Sequence, residues 1–213
     1  MAEGLRERKK RETRQRISDI ATGLFLEHGF VTVTMADVAE AADVSVNTVY
    51  NYFPAKEDLF FDRSEGVVDR LSRWVRARDP GESAARAVLR ELRAELEAVS
   101  PRMGLIEGYD RFMRCIDEAP PLRSRLWRIQ QEVQENLEAA LREETRATAG
   151  DPLPGLIAGQ ICWVHGTLFV SIGREMARGR NPGEVSREML GLLDDIEGLL
   201  SEQVLNYAVR GVE

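Results

Sequence analysis

Sulfur and imidazole are scarce in this sequence: two cysteines, Cys115 and Cys162, and two histidines, His28 and His165, in 213 residues. Two cysteines build no disulfide framework, so both are expected reduced and packed. Cys162 and His165 stand three apart, but two cysteines and two histidines at these spacings do not make a structural zinc site. No glycine-rich phosphate loop follows a strand-like run, and no Ser/His/Asp order suggests nucleophilic catalysis. Metal, cofactor and enzymatic activity are all unexpected; a Cys162–His165 enzyme is the rival from another class. No run approaches 18 apolar residues, and no apolar stretch follows the charged N-terminus. The expectation is therefore a soluble, cytoplasmic chain with no membrane association.

Positive charge is also in deficit overall, at 29 basic against 36 acidic residues, for a net charge of −7. Spread evenly, that balance would argue against a nucleic-acid partner. It is not even. Arg6, Arg8, Lys9, Lys10, Arg11, Arg14 and Arg16 face only Glu7 and Glu12 within residues 6–16, so the arm carries 7 − 2 = +5.

Alternating strand patterns are absent, while proline and glycine cut the chain into helix-length pieces. The first helix, about residues 8–28, buries Ile17, Ile20, Ala21, Leu24 and Phe25 and ends at Gly29. Thr34 with Asp37 reads as a capping box opening a second helix. Asp43 holds a turn that needs a left-handed residue, and Ser45 caps a third helix whose inner face is Val49 and Phe53. A long fourth helix is expected from Lys56 to about Arg78. A fifth runs through Val88 to Val99, a sixth opens at Pro101, and a seventh carries Leu122, Ile129, Val133 and Leu137. The eighth spans about 155–178 and the ninth about 184–208. The fold class is all-α, with about nine helices.

Residues 34–56 are the most informative stretch. Asn47, Thr48 and Asn51 are small polar side chains on a helix face that no core would want. Short polar groups at a helix N-terminal end approach base edges closely; asparagine pairs with adenine, and threonine meets a thymine methyl. From Arg14 to Leu59 the chain resembles the DNA-binding domain of the tetracycline-repressor (TetR) family of bacterial transcriptional regulators. Ile17, Ala21, Phe25, Gly29-Phe30, Thr34, Val38-Ala39, Ala42, Val44-Ser45, Thr48-Val49-Tyr50, Tyr52-Phe53 and Lys56-Glu57-Asp58-Leu59 carry the match. The resemblance implies a helix-turn-helix domain over residues 1–55 and a helical ligand-binding and dimerisation domain over 56–213. It places Val46, Asn47, Thr48, Tyr50 and Asn51 toward the DNA groove, and makes Thr34, Tyr52 and Lys56 backbone contacts alongside Tyr50. Many members have glycine where this chain has Asp43 and Asn47, so the operator is not inherited with the motif.

The eighth helix has Gly159, Cys162, Gly166, Phe169 and Gly173 at spacings of three and four, and the ninth offers Leu192, Ile196 and Leu199. Interior helical glycines cost about 1 kcal/mol each, so a packing reason is expected. The resemblance makes this stripe the interface of a homodimer, which suits a palindromic DNA operator. Trp74, Met103, Tyr109, Phe112, Met113, Trp127 and Trp163, with Gln130, Gln134, His165 and Thr167, are the candidate lining of an apolar effector pocket. The implied function is a homodimeric repressor released by a small, largely apolar molecule. An activator of the same fold and a helical protein-interaction module are the alternatives.

Overall fold

The computed structural model describes residues 4–62 and 65–211, with the backbone alone at Leu5 and Glu65. It contains α1 (Leu5–His28), α2 (Met35–Ala41), α3 (Val46–Tyr52), α4 (Lys56–Phe60), α5 (Glu65–Val68) and α6 (Arg70–Ala77). There follow α7 (Ala84–Glu97), a short 3-10 turn (Pro101–Met103), α8 (Tyr109–Glu118), α9 (Pro120–Thr145), α10 (Leu153–Ala177), α11 (Pro182–Leu199) and α12 (Glu202–Leu205). Among the described residues there is no strand, and nine of the helices are seven residues or longer. The all-α expectation holds.

Two compact units divide the chain: Met1–Ser64 with Arg114–Leu126, and Glu65–Met113 with Trp127–Glu213. The division does not fall at 55/56. Leu59 is fully buried and Phe60 joins the aromatic cluster of α1, so α4 belongs to the N-terminal unit. Cys115, in α8, donates to the Phe25 carbonyl at 3.2 Å, which ties the 114–126 segment there too.

In the N-terminal unit, α1 presents Ile17, Ala21 and Phe25 at four-residue spacing, all fully buried. It stops at Gly29, whose φ of 85° is left-handed space that glycine occupies without strain. Phe25, Phe30 and Phe60 cluster with ring centroids 5.1 to 6.2 Å apart, in tilted and edge-on geometry that favours aromatic pairs. Val38, Val49, Phe53 and Leu59 complete this core at 0% exposure.

The long fourth helix is corrected. It is three short helices, α4, α5 and α6, with residues 63 and 64 outside the described set. Phe61 ends α4 at φ −104°, and Asp62 beyond it is held by Arg14 at 2.7 Å. That contact reaches across 48 residues, and helix periodicity carries no trace of it.

In the second unit, α7 packs on α11 and α6, and α10 packs on α11. Ala84, Val88, Leu92 and Leu96 of α7 are buried, as are Val185, Met189, Leu193 and Ile196 of α11. Ser186 donates to the Leu96 carbonyl at 2.5 Å, so a buried hydroxyl is satisfied between the two helices. Arg78, 1% exposed, donates to the carbonyls of Val75, Glu82 and Ala208 and pairs with Glu144 at 3.0 Å. That guanidinium ties the end of α6 to α9 and to the C-terminal tail.

Two further expectations are corrected here. The sixth helix does not run on from Pro101: the 3-10 turn ends at Gly104 with φ 84°, and α8 starts after Gly108 with φ 82°. The ninth helix stops at Leu199, because Ser201 caps a new short helix by accepting from the Val204 N–H. α10 is long and apolar enough to cross a bilayer by length and composition, although no run of 18 uninterrupted apolar residues exists in the chain.

Candidate nucleic-acid interface

α2 and α3 are set by three local devices. The Thr34 hydroxyl accepts from the Asp37 N–H at 3.2 Å, and the Asp37 carboxylate accepts from Thr34 N and Oγ1 at 2.7 and 2.8 Å. These bonds, the backbone one first, hold the Asp37 carboxyl below its usual pKa. Asp43 adopts φ 52°, the left-handed turn residue expected between the helices. Ser45 Oγ accepts from Thr48 N at 3.1 Å and shares a hydrogen bond with the Thr48 hydroxyl at 2.8 Å.

The result is a helix with two unlike faces. Val49 and Phe53 are fully buried, while Val46, Asn47, Tyr50 and Asn51 are exposed and Thr48 is half-buried. Tyr50 and Val46, 49% and 39% exposed, are large side chains that the core has left out. Asn47 and Asn51 lie one helical turn apart and make no hydrogen bond to another described residue. Val46, Asn47, Tyr50 and Asn51 share the exposed face of α3, with Thr48 at its edge. Ala36 is also exposed and offers nothing longer from α2.

Lys56, expected to contact the DNA backbone, also has a role inside the fold. Its ammonium donates to the Phe30 carbonyl and sits 4.3 Å from the Phe30 ring centroid, a cation–π position. Partial burial lowers its pKa, against the attraction of Glu57. Lys56 here braces α4 on the Phe30 loop.

The basic arm is likewise divided in its duties. Arg14 pairs with Asp62, donates to the Tyr52 carbonyl at 3.3 Å and lies 4.7 Å from the Phe53 ring centroid. Arg16 donates to the Ala42 carbonyl at 2.6 Å, satisfying the C-terminal end of α2. Arg8 reaches Glu12 at 3.5 Å. Arg6, Lys9 and Lys10 instead line, with Thr13 and Tyr52, an open hollow of about 330 Å³. Three cations and two hydroxyls around one hollow suit a phosphate oxygen. This hollow is the feature that sequence reading missed; the spacing of 6, 9, 10 and 13 on one helix face was the available signal.

In the second unit, Tyr109 stacks on Phe112 at 5.7 Å and meets Phe169 edge-on at 6.2 Å, and His165 stacks on Phe169 at 6.3 Å. Met113 lies 3.5 Å from where a Gly173 side chain would begin. Of the expected pocket residues, Met103 is also fully buried and Gln134 faces Gly159 at 3.7 Å. Trp74 and Thr167 are half-buried. Trp127 and Trp163 are not interior: they are 61% and 51% exposed, and Gln130 is exposed too.

Part of the expected dimer stripe packs within its own chain. Gly159 and Gly173 make room for Gln134 and Met113 of their own chain, and Phe169 is clasped by Tyr109 and His165. Ile196 is 3% exposed. Gly166 has nothing within 4 Å, Leu192 is half-buried, and Leu199 is 77% exposed. The outward face of α10 is instead Leu156, Trp163 and Val170, seven residues apart and 59%, 51% and 51% exposed.

Burial pushes the Cys162 thiol up to about 12 and the His165 imidazole down to about 4, the latter with help from the Arg70 charge. A thiolate–imidazolium pair needs the opposite shifts. Among the described residues, no group of three or more His, Cys, Asp or Glu side chains gathers to hold a metal ion.

A family model described as "Bacterial regulatory proteins, tetR family" matches residues 17–62. The chain is 30% identical over 139 residues to the HTH-type transcriptional regulator TcmR of Streptomyces glaucescens, covering 63% of this chain and 61% of TcmR. It is 39% identical over 70 residues to the HTH-type transcriptional repressor KstR of Mycolicibacterium smegmatis, covering 30% of this chain and 34% of KstR. The chain thus matches about three fifths or less of the length of these curated relatives. Among solved structures it is similar to NalD, the secondary repressor of the MexAB-OprM multidrug efflux pump in Pseudomonas aeruginosa. That likeness has a TM-score of 0.56 and 24% identity over 87% of this chain and 96% of NalD, and it bears on the fold alone.

Proposed function

Because the chain belongs to the TetR family of bacterial helix-turn-helix transcriptional regulators, we propose that it is a cytoplasmic, homodimeric repressor that binds a palindromic operator and is released by a small, largely apolar effector. It is a regulator and not an enzyme. The observation that carries the reading is the outward face of α3, where Asn47, Tyr50 and Asn51 are exposed over a buried Val49. Val46, Asn47, Thr48 and Asn51 meet base edges, while Thr34, Tyr50 and Tyr52 contact phosphates. Lys56 acts through the loop it braces.

One helix of seven residues reads too few base pairs for useful specificity, and a two-fold partner supplies the second half-site. Leu156, Trp163 and Val170 of α10, with Leu199 of α11, form the face that the partner covers, since such an apolar stripe is costly in water. Effector action requires that the ligand bind the DNA-free form more tightly than the DNA-bound form.

Genomic footprinting with the full-length protein identifies the operator. Asn47→Ala and Asn51→Ala should each cost about 1–3 kcal/mol at the bases they read and leave non-specific binding intact. Unchanged operator preference in both variants would remove these residues from the interface. Reporter expression that falls on deletion of the protein would make it an activator.

A further inference from the structure

Among the described residues, one buried side-chain polar atom is left without a hydrogen-bond partner, and it lies in the second unit. The Tyr109 hydroxyl is buried and has no partner, and such orphans are rare and destabilising in native proteins. His165 makes no hydrogen bond to a described residue, and burial keeps its ring uncharged at neutral pH. Arg70, partly buried, donates to the Arg102 carbonyl at 3.3 Å. Among the described residues no carboxylate lies within ion-pair distance of it.

These three groups close a circuit. Arg70 holds the carbonyl of Arg102, two residues before Gly104. A Cβ at Gly104 would lie 2.6 Å from the Tyr109 ring, so that ring rests directly on the glycine backbone. Tyr109 meets the edge of Phe169, Phe169 stacks on His165, and the Arg70 charge is felt at His165. The three groups lie along one aromatic patch, and the Tyr109 hydroxyl there has no acceptor of its own.

We propose that Tyr109, His165 and Arg70 form the polar end of an effector site for an aromatic, largely apolar molecule that carries a hydrogen-bond-accepting oxygen, and that the Tyr109 hydroxyl donates to that oxygen. The proposal rests on the reading of the chain as a ligand-responsive regulator. The aromatic body of the ligand takes the place of the Tyr109–Phe112 stack on Phe169. Gly104 and Gly108, at φ 84° and 82°, bracket the segment before Tyr109 and give it the freedom to part those rings. The oxygen then satisfies the hydroxyl that the ligand-free protein leaves bare. A site that has to hydrogen-bond its ligand discriminates strongly against an analogue lacking the acceptor.

Calorimetric titration of the full-length protein with 2-naphthoate, 2-acetylnaphthalene and 2-methylnaphthalene tests this. The first two share the acceptor oxygen, charged in one and neutral in the other; the third lacks it. Both oxygen-bearing probes should bind at least tenfold more tightly than 2-methylnaphthalene. Tyr109→Phe should remove that advantage, leave 2-methylnaphthalene unaffected and leave the ligand-free Tm unchanged or higher. Binding of 2-naphthoate alone, lost in Arg70→Gln, keeps the site and assigns the oxygen as anionic. Equal affinity for all three probes, no binding of any, or an unaltered advantage in Tyr109→Phe overturns the proposal. A lower ligand-free Tm in that variant overturns it too, because the hydroxyl would then have had a partner. Capture of genomic DNA fragments without any probe judges the regulator reading separately: probe binding without DNA binding sinks only that reading, and the converse sinks only the effector site.

Discussion

Neutralising Arg6, Lys9 and Lys10 together should reshape the salt dependence of DNA binding. Arg14 and Arg16 are occupied within the protein by Asp62 and the carbonyls of Tyr52 and Ala42, and Arg8 reaches Glu12. Arg6, Lys9 and Lys10 share the hollow beside Tyr52, which under the proposed function would receive phosphate. Two arms in a dimer give six such cations, and at roughly 0.9 log units per phosphate contact they contribute about 5 to the slope of log K against log salt. Across a rise from about 50 to 200 mM salt, that share alone is worth roughly a thousandfold in affinity. The triple glutamine variant, titrated by fluorescence anisotropy on an operator fragment at several salt concentrations, should lose most of that slope and keep its base preference. Arg14→Gln is the control: it should leave the slope nearly intact and cost about 2 kcal/mol of stability by stripping Asp62 of its partner. A triple variant within one log unit of the parent slope would mean the hollow never meets phosphate.

Other outcomes follow from packing and protonation. Trp163→Asp, on the outward face of α10, should give a folded monomer by sedimentation and abolish operator binding at nanomolar protein; a persisting dimer would move the interface elsewhere. His165 is held at about 4 against an ordinary value of 6.5, so the unfolded chain takes up its proton first. Its contribution is complete above about pH 6.5 and is lost as pH falls toward 4, at most about 3 kcal/mol. His165→Gln should flatten urea stability over that window. Val99 holds φ 47° just beyond α7, which costs a β-branched residue about 1–2 kcal/mol, so Val99→Gly should raise Tm by several degrees.

The parts of the fold legible in the sequence were those fixed within four or five residues. Thr34, Asp43, Ser45 and Gly29 each did what their side chain and spacing implied, because a cap or a left-handed turn is decided by neighbours in the chain. The break after Phe61 was not legible, since the Arg14 contact that holds Asp62 comes from a distant helix. The break at Ser201 did carry a local signal, a serine followed by Glu202, which the leucine periodicity of α11 masked. The exchange of roles on α10 has a different origin. Glycines on a helix signal close approach but not by what, and here Met113 and Gln134 of the same chain approach them. The structural role of Lys56 was hidden for a related reason: a lysine at a helix start gives no hint that its ammonium will lie over the Phe30 ring.

The hydroxyl bond between Ser45 and Thr48 has a consequence for how this regulator could change its target over generations. On the proposed DNA-bound arrangement, Thr48 would enter the groove with its hydroxyl already engaged by Ser45, and so present chiefly a methyl group. Asn47 and Asn51, exposed and without such a bond, would be oriented by the base pair they meet. Mutation at the two asparagines can therefore retune the operator without disturbing α3, whereas change at Thr48 also loosens the cap that starts the helix. Related regulators with this motif should diverge in their operators at the bases under the asparagines and agree at the base under the threonine.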